Sequence, residues 1–280
     1  MTDYSRSNIL LPHFEVAEAF LNALDGKDTQ FTFQTFDDVE VWSDEKKKNI
    51  KRQNKDLVRV YHGTFNEHKQ ALAALNKRGG GIFVTINETD LTGRKEANIL
   101  KVRALFVDLD GSPLQPILDL PEDLHPHIII ESSPDKWHCY WLVNNCELEQ
   151  FKPLQQALAA KFDGDKQVCD LPRVMRLAGF SHNKGESFIT RIHTMQDDLY
   201  PYSVNKLIVG LGLNNIRGQE RSENNQAEKQ PKNDGYIYDS QMFGAKTYSP
   251  CSPCSPFDDE NSNFDLILTN EQINDLKNAL

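Results

Sequence analysis

Asp108 and Asp110 stand two residues apart at the end of an apolar run covering residues 102–109, and Gly111 follows. Alternate residues of a strand face the same side, so a strand here would aim both carboxylates at one spot. Converging carboxylates repel each other unless a cation lies between them. Hard divalent ions such as Mg²⁺ or Mn²⁺ prefer such oxygen ligands. The plainer alternative is a polar strand end that runs into a glycine turn. Downstream, Ser132-Ser-Pro-Asp-Lys-Trp-His138 leads into a second apolar run. His138 reads either as a buried core histidine or as a phosphate donor assisted by Lys136 and the hydroxyls of Ser132 and Ser133. Residues 170–184 add Asp170 and the cations Arg173, Arg176 and Lys184. If this stretch is helical, Arg173 and Arg176 share a face, and guanidinium forks suit phosphate oxygens. Three carboxylates, a histidine and several cations form the inventory of two-metal phosphoryl or nucleotidyl transfer on a triphosphate.

These side chains need a scaffold, and residues 1–215 read as one mixed α/β domain. Residues 15–25 predict a helix with Val16, Phe20, Ala23 and Leu24 on one side, and residues 31–36 alternate as a strand. Residues 66–77 predict a helix closed by Gly79-Gly-Gly81, and residues 82–87 a short strand. Residues 102–109 form the strand that ends at the acidic pair. Residues 128–143 read strand, turn, strand, with the turn at 132–135, and residues 150–162 an amphipathic helix. Residues 46–55 hold six Lys or Arg; they read as a solvated helix or loop, or as a contact for a phosphate backbone.

The composition narrows the class. With 39% hydrophobic and 26% charged residues in 280, the chain can bury a core. No apolar run is long enough to span a membrane. The patch Ile9-Leu10-Leu11 is too short for a signal peptide, so the expected location is the cytoplasm. Five cysteines in no framework read as reduced thiols, and Cys251-Ser-Pro-Cys254 alone lacks the four ligands of a structural zinc site. The net charge of −10 excludes coating nucleic acid by bulk charge, while leaving room for a local basic groove. Residues 216–263, rich in Asn, Gln, Ser and Pro, read as a disordered linker. Residues 264–280 predict a terminal helix with Thr269 as N-cap and Ile273, Leu276 and Leu280 on one face.

Three ordered segments together carry a resemblance: Phe106-Val-Asp108-Leu-Asp110-Gly111, Ser132-Ser-Pro-Asp-Lys-Trp-His138, and Asp170-Leu-Pro-Arg173-Val-Met-Arg176-Leu-Ala-Gly179. The chain resembles the RepB-type primases of phages and plasmids, within the archaeo-eukaryotic primase superfamily. The likeness extends upstream through residues 31–37, 62–64 and 81–90 and covers roughly residues 14–213. It implies an α+β fold, with an RRM-like catalytic palm at about 96–213 beside a small N-terminal α/β subdomain at about 14–95. It implies primer synthesis from nucleoside triphosphates on single-stranded DNA in the bacterial host cytoplasm. Asp108, Asp110 and Asp170 would hold two Mg²⁺ or Mn²⁺ ions. His138, Arg173 and Arg176 would bind the triphosphate, with Lys136, Lys184 and Ser133 as further candidates. Two positions depart from the family pattern. Ala178 stands where a proline is usual, and Lys136 occupies the place two before His138 where the superfamily often has serine, which makes Lys136 a phosphate contact.

Arg94, Lys95, Lys101 and Arg103 are candidates for a template groove, or are solvated surface. In the family, the stretch after the linker opens a small helical domain often followed by a helicase. This chain is therefore expected to be the N-terminal part of a primase–helicase, or truncated from one, and to work with a replicative helicase in cis or in trans. No Gly-x-x-x-x-Gly-Lys-Ser/Thr loop occurs in it, so no ATP-driven unwinding is expected. Two rivals remain. One is an HUH-type nickase using His125, His127 and Tyr200 or Tyr202. The other is a non-catalytic RRM-like sheet reading bases with Trp137, Tyr140 and Trp141.

Overall fold

The computed structural model describes residues 10–215. The linker, the terminal helix and the Cys251–Cys254 pair lie outside the described residues. In chain order the first half holds α1 (Phe14–Asp25), β1 (Phe31–Asp37), β2 (Glu40–Ser43), β3 (Lys48–Lys51), β4 (Arg59–Gly63), α2 (Phe65–Lys77), β5 (Gly80–Thr85), β6 (Glu88–Thr89), β7 (Ile99–Lys101) and β8 (Ala104–Leu109). The second half holds α3 (Gln115–Leu118), β9 (Ile128–Ser133), β10 (Lys136–Asn144), α4 (Leu148–Phe162), β11 (Val174–Arg176), β12 (Ser181–His182), β13 (Phe188–Ile189), β14 (Arg191–Met195), β15 (Tyr202–Ser203) and α5 (Val204–Gly210).

Two sheets carry the architecture. The first is antiparallel with order β11-β5-β1-β4. The second runs β14-β9-β10, with β8 antiparallel to Trp137–Leu142 of β10 and β15 parallel to its last residues, Val143 and Asn144. Each face of the second sheet has its own cover. Trp141 on β10 stacks on Phe162 of α4, centroids 5.9 Å apart. On the opposite face Tyr140 meets Phe20 of α1 at 5.4 Å. The β14-β9-β10-β8 sheet backed by α4 is the RRM-like palm that the motifs imply, within the expected α+β fold.

Local chemistry explains the helices. In α1, Ala17, Phe20, Leu21 and Leu24 recur at helical spacing and are buried. Thr64 and Glu67 close a capping box at the start of α2: the Thr64 amide donates to Glu67 Oε2 at 2.7 Å, and the Glu67 amide to Thr64 Oγ1 at 3.4 Å. Gly179, at φ +83, comes so close to α1 that a side-chain carbon there would run into the His13 carbonyl oxygen. The His13 amide donates to Gly179 O at 2.8 Å, tying the third motif to the first helix.

Two expectations are corrected. Residues 173–176 are not helical: Val174–Arg176 is a strand pairing with Phe83–Thr85, because the β5 edge needs a hydrogen-bonding partner and Met175 buries its side chain there. A strand late in the sequence thus completes the sheet built by the N-terminal residues, across the division expected near residue 95. Residues 46–55 are neither helix nor plain loop. They supply β3 of a hairpin in which Glu40 faces Lys51 and Trp42 faces Asn49.

Candidate active site

A cavity of about 340 Å³ opens between the two sheets. The second sheet lines it with Asp108, Asp110, Ser132, Ser133, Lys136 and His138. Asp37 at the end of β1 and Asp38 just after it, Glu40 and Lys51 from the hairpin, and Phe83 from β5 face them, with Arg176 from the third motif and His182 and Lys184 downstream of it.

The antiparallel register of β8 and β10 sets this face of the cavity. His138 lies opposite Asp108, with Nε2 3.7 Å from Oδ1. Two residues along, Lys136 Nζ stands 2.5 Å from Asp110 Oδ1. The hydrogen bond from Lys136 holds the Asp110 carboxyl below the usual carboxylate range, against the opposing effect of burial. Burial pushes the His138 imidazole down, so it is neutral at neutral pH. The Tyr140 hydroxyl lies 3.3 Å from His138 Nδ1, and burial pushes its phenol up and keeps it protonated. A Tyr140 hydroxyl that donates to Nδ1 would leave the proton of the neutral ring on Nε2, the nitrogen that faces Asp108.

Asp170 and Arg173 form an ion pair with each other on the neighbouring loop and are not among the residues lining the cavity. That loop is strapped to β8. Gln155 accepts from the Phe106 amide at 2.9 Å and donates to Val168 O at 3.2 Å, and the Asp165 amide donates to Asp108 O at 2.9 Å. Among the described residues, no group of three or more His, Cys, Asp or Glu is placed to hold a metal ion. Asp108 and Asp110 nonetheless supply hard oxygen donors, and the Lys136 ammonium already occupies a cation's position against Asp110. Mg²⁺ is commonly bound through one or two carboxylates, with water and substrate phosphates completing its shell. The donor set fits an ion delivered with a triphosphate.

Arg176 reaches the cavity, but its fork is engaged by Asp38, and its guanidinium lies 4.8 Å from the Phe83 ring centroid. Lys184 sits 3.5 Å from Glu40. His182 lines the cavity with Nε2 buried and unpartnered. Burial pushes it down to about 4, with the Arg176 charge adding to the effect and Asp38 opposing it. Asp37, Asp38, Glu40, Lys51, Phe83 and His182 escaped the sequence reading. Asp37 and Asp38 had a detectable signal, since they are carboxylates at the end of the alternating strand 31–36.

Other candidates fall away from the site. Arg103 is buried, ion-paired to Asp25 at 2.5 Å and laid over Phe31, so it is core rather than groove. Arg94 is spent on Gln34 and the Pro172 carbonyl, while Lys95 and Lys101 are exposed. His125 bonds Leu120 O, and His127 accepts from the Leu142 amide and bonds Tyr200 O, which commits the histidine pair to backbone. Tyr140 and Trp141 are fully buried and offer no face to a base, and Trp137 packs against His193. No helix among the described residues is long and apolar enough to cross a membrane.

Residues 86–205 match the RepB DNA-primase N-terminal domain family. The AEP domain of the primase-polymerase of cyanophage S-2L superposes with a TM-score of 0.54 at 17% identity, covering 72% of this chain and 100% of that domain. The catalytic domain of primase RepB′ in complex with initiator DNA gives a TM-score of 0.48 at 15% identity, covering 76% of this chain and 98% of that one. No curated protein matches the chain by sequence.

Proposed function

With a RepB-type primase domain at residues 86–205 as the premise, we propose that this protein synthesises primers from nucleoside triphosphates on single-stranded DNA. One observation carries the reading: Asp108 on β8 lies opposite His138 on β10, and Asp110, just past the end of β8, meets Lys136, in a cavity that Arg176 also lines. Clustered carboxylates beside phosphate-binding cations serve nucleotidyl transfer and have no use in a pure binding sheet. The family match and the fold support the DNA primase role; the substrates and the metal are this proposal's own.

The chain's residues would act by position and charge. His138 Nε2–H would donate to a phosphate oxygen, with Tyr140 holding the tautomer. The Ser133 hydroxyl would add a donor. Lys136, half-exposed on a flexible stem, would turn from Asp110 to the triphosphate as it arrives. Arg176, fixed by Asp38, would present its remaining N–H groups to the phosphates, with Lys184 at the rim. Asp108 and Asp110, with Asp170 on the neighbouring loop, would hold the Mg²⁺ or Mn²⁺ ions, and Arg173 beside Asp170 would turn to the triphosphate. A bound ion there would neutralise the triphosphate and lower the pKa of the attacking 3′-hydroxyl. Unpaired template in a replicating duplex calls for a helicase, in cis or in trans.

The test is direct. The protein is incubated with single-stranded DNA, Mg²⁺ or Mn²⁺ and labelled nucleoside triphosphates. New template-dependent oligonucleotides are expected. Their absence under both metals would overturn the proposal.

A further inference from the structure

Outside the catalytic face, the hairpin of β2 and β3 combines two features that the mechanism leaves unused. Residues 44–52 hold five Lys or Arg against two acidic residues, in a chain whose net charge is −10. Lys46, Lys47, Lys48 and Lys51 are exposed, and no ion pair forms to them among the described residues. Beside them Trp42 is 61% exposed. Its indole is held rather than loose: Nε1 donates to Asp44 Oδ1 at 3.0 Å.

The register places that indole with respect to the cavity. Glu40 pairs with Lys51 and Trp42 with Asn49, so all four share one face of the hairpin. Glu40 and Lys51 line the catalytic cavity. Trp42 and Asn49 therefore continue that wall outward by about 7 Å, the span of two strand residues. The base of the hairpin is anchored. The Arg52 amide donates to Val39 O at 2.9 Å, and the Arg52 side chain forks onto Asp37 at 2.8–3.1 Å.

We propose that this hairpin is a docking rail for single-stranded DNA: an unpaired base stacks on Trp42, and Lys46 and Lys47 at the hairpin turn hold the flanking phosphates, leading the strand into the cavity past Lys51 on the same face. The inference rests on the primase reading for the identity of the strand as template. The pairing of features selects the ligand. Lysines alone would take any polyanion, whereas a pinned, exposed indole beside them takes a ligand with both π faces and phosphates. Duplex DNA keeps its bases stacked inside and offers the indole nothing, and an acidic peptide offers only charge.

Fluorescence anisotropy with a labelled oligothymidine tests this on the full chain. Trp42→Ala should weaken binding about 5- to 100-fold, with Trp42→Phe restoring most of it, because stacking survives a smaller ring. Replacing Lys46, Lys47 and Lys51 together by alanine should flatten the slope of log affinity against log salt by about 2. Three results would overturn the rail: unchanged oligothymidine affinity in Trp42→Ala, equal weakening for a duplex of the same length, or displacement by poly-glutamate as effective as by oligothymidine. The primase reading fails separately. Tight, Trp42-dependent binding by a protein that makes no primers leaves the rail and removes the primase. Primer synthesis by Trp42→Ala at wild-type template KM leaves the primase and removes the rail.

Discussion

Arg176 grips Asp38 through two parallel hydrogen bonds, Nη1 to Oδ2 at 2.8 Å and Nη2 to Oδ1 at 2.7 Å, joining residues 138 positions apart. Both side chains are mostly buried, at 14% and 11% exposure. The Asn183 amide adds a third bond to Asp38 Oδ2 at 2.9 Å. The contact fastens the third motif to the end of β1 and sets the direction from which Arg176 meets the cavity.

Removing one member of such a pair strands the other charge in a poorly solvated place. Asp38→Ala is expected to cost about 3 kcal/mol of stability. Adding Arg176→Met to it should recover part of that loss, because the uncompensated guanidinium is gone. Urea unfolding of the two single variants and the double variant measures this. Strictly additive losses would show that the two side chains do not depend on each other.

The elements that position the site were largely legible in the sequence. Periodicity placed α1, α2, α4 and the strands β1, β8, β9 and β10 within a few residues. Asp108 and Asp110 do line one cavity, as their i, i+2 spacing suggested, although β8 ends at Leu109 and Asp110 lies just beyond it. What escaped depends on pairing between distant segments. Nothing local in residues 173–176 reveals that β5 lacks a neighbour, so spacing alone suggested a helix and a shared face for Arg173 and Arg176. As a strand, the segment sends Arg176 to Asp38 and leaves Arg173 with Asp170 on the loop. Arg103 was unreadable for the same reason: its partners Asp25 and Phe31 lie more than seventy residues upstream.

Asp108→Asn is expected to abolish nucleotide incorporation while the fold persists. Asp108 is half-buried at the cavity edge, and the neutral imidazole of His138 stands with Nε2 3.7 Å from its Oδ1, beyond hydrogen-bond distance. The charge is thus free for a cation and contributes little to packing. Single-turnover incorporation, read beside the urea midpoint, separates the two roles. Near wild-type synthesis by Asp108→Asn would remove Asp108 from the chemistry.

His138→Ala should raise the KM for nucleoside triphosphate about 10- to 100-fold, the range for losing one hydrogen bond to a charged group. Affinity for single-stranded DNA should change far less. Tyr140→Phe should give a smaller effect in the same direction, since it removes only the hydroxyl that fixes the tautomer. Equal losses of DNA and triphosphate affinity in His138→Ala would move His138 from the phosphate site to the template path.

The last prediction concerns acid. His182 has an ordinary pKa of 6.5 and is pushed down to about 4 in the folded protein, chiefly by burial. Between those values the unfolded chain binds a proton that the folded chain does not, so this group makes stability fall as pH drops from 6.5 towards 4 and contributes no slope well above that window. Burial shifts His138 in the same direction, so the wild-type slope alone does not isolate either residue. Asp110 and Asp37 act elsewhere. Both carboxyls are held below their ordinary value of 3.8, Asp110 mainly by Lys136, and Asp37 by the Arg52 and Asn54 hydrogen bonds overcoming burial. Their stabilising pairs therefore persist above that value and are lost only as pH falls below the histidine window. His182→Gln keeps a polar side chain of similar reach without a titrating proton. Its urea midpoint should fall less than that of the wild type between pH 7 and pH 5. Parallel midpoint curves for the two proteins across that range would show that His182 titrates normally in the folded state and is not buried against Arg176.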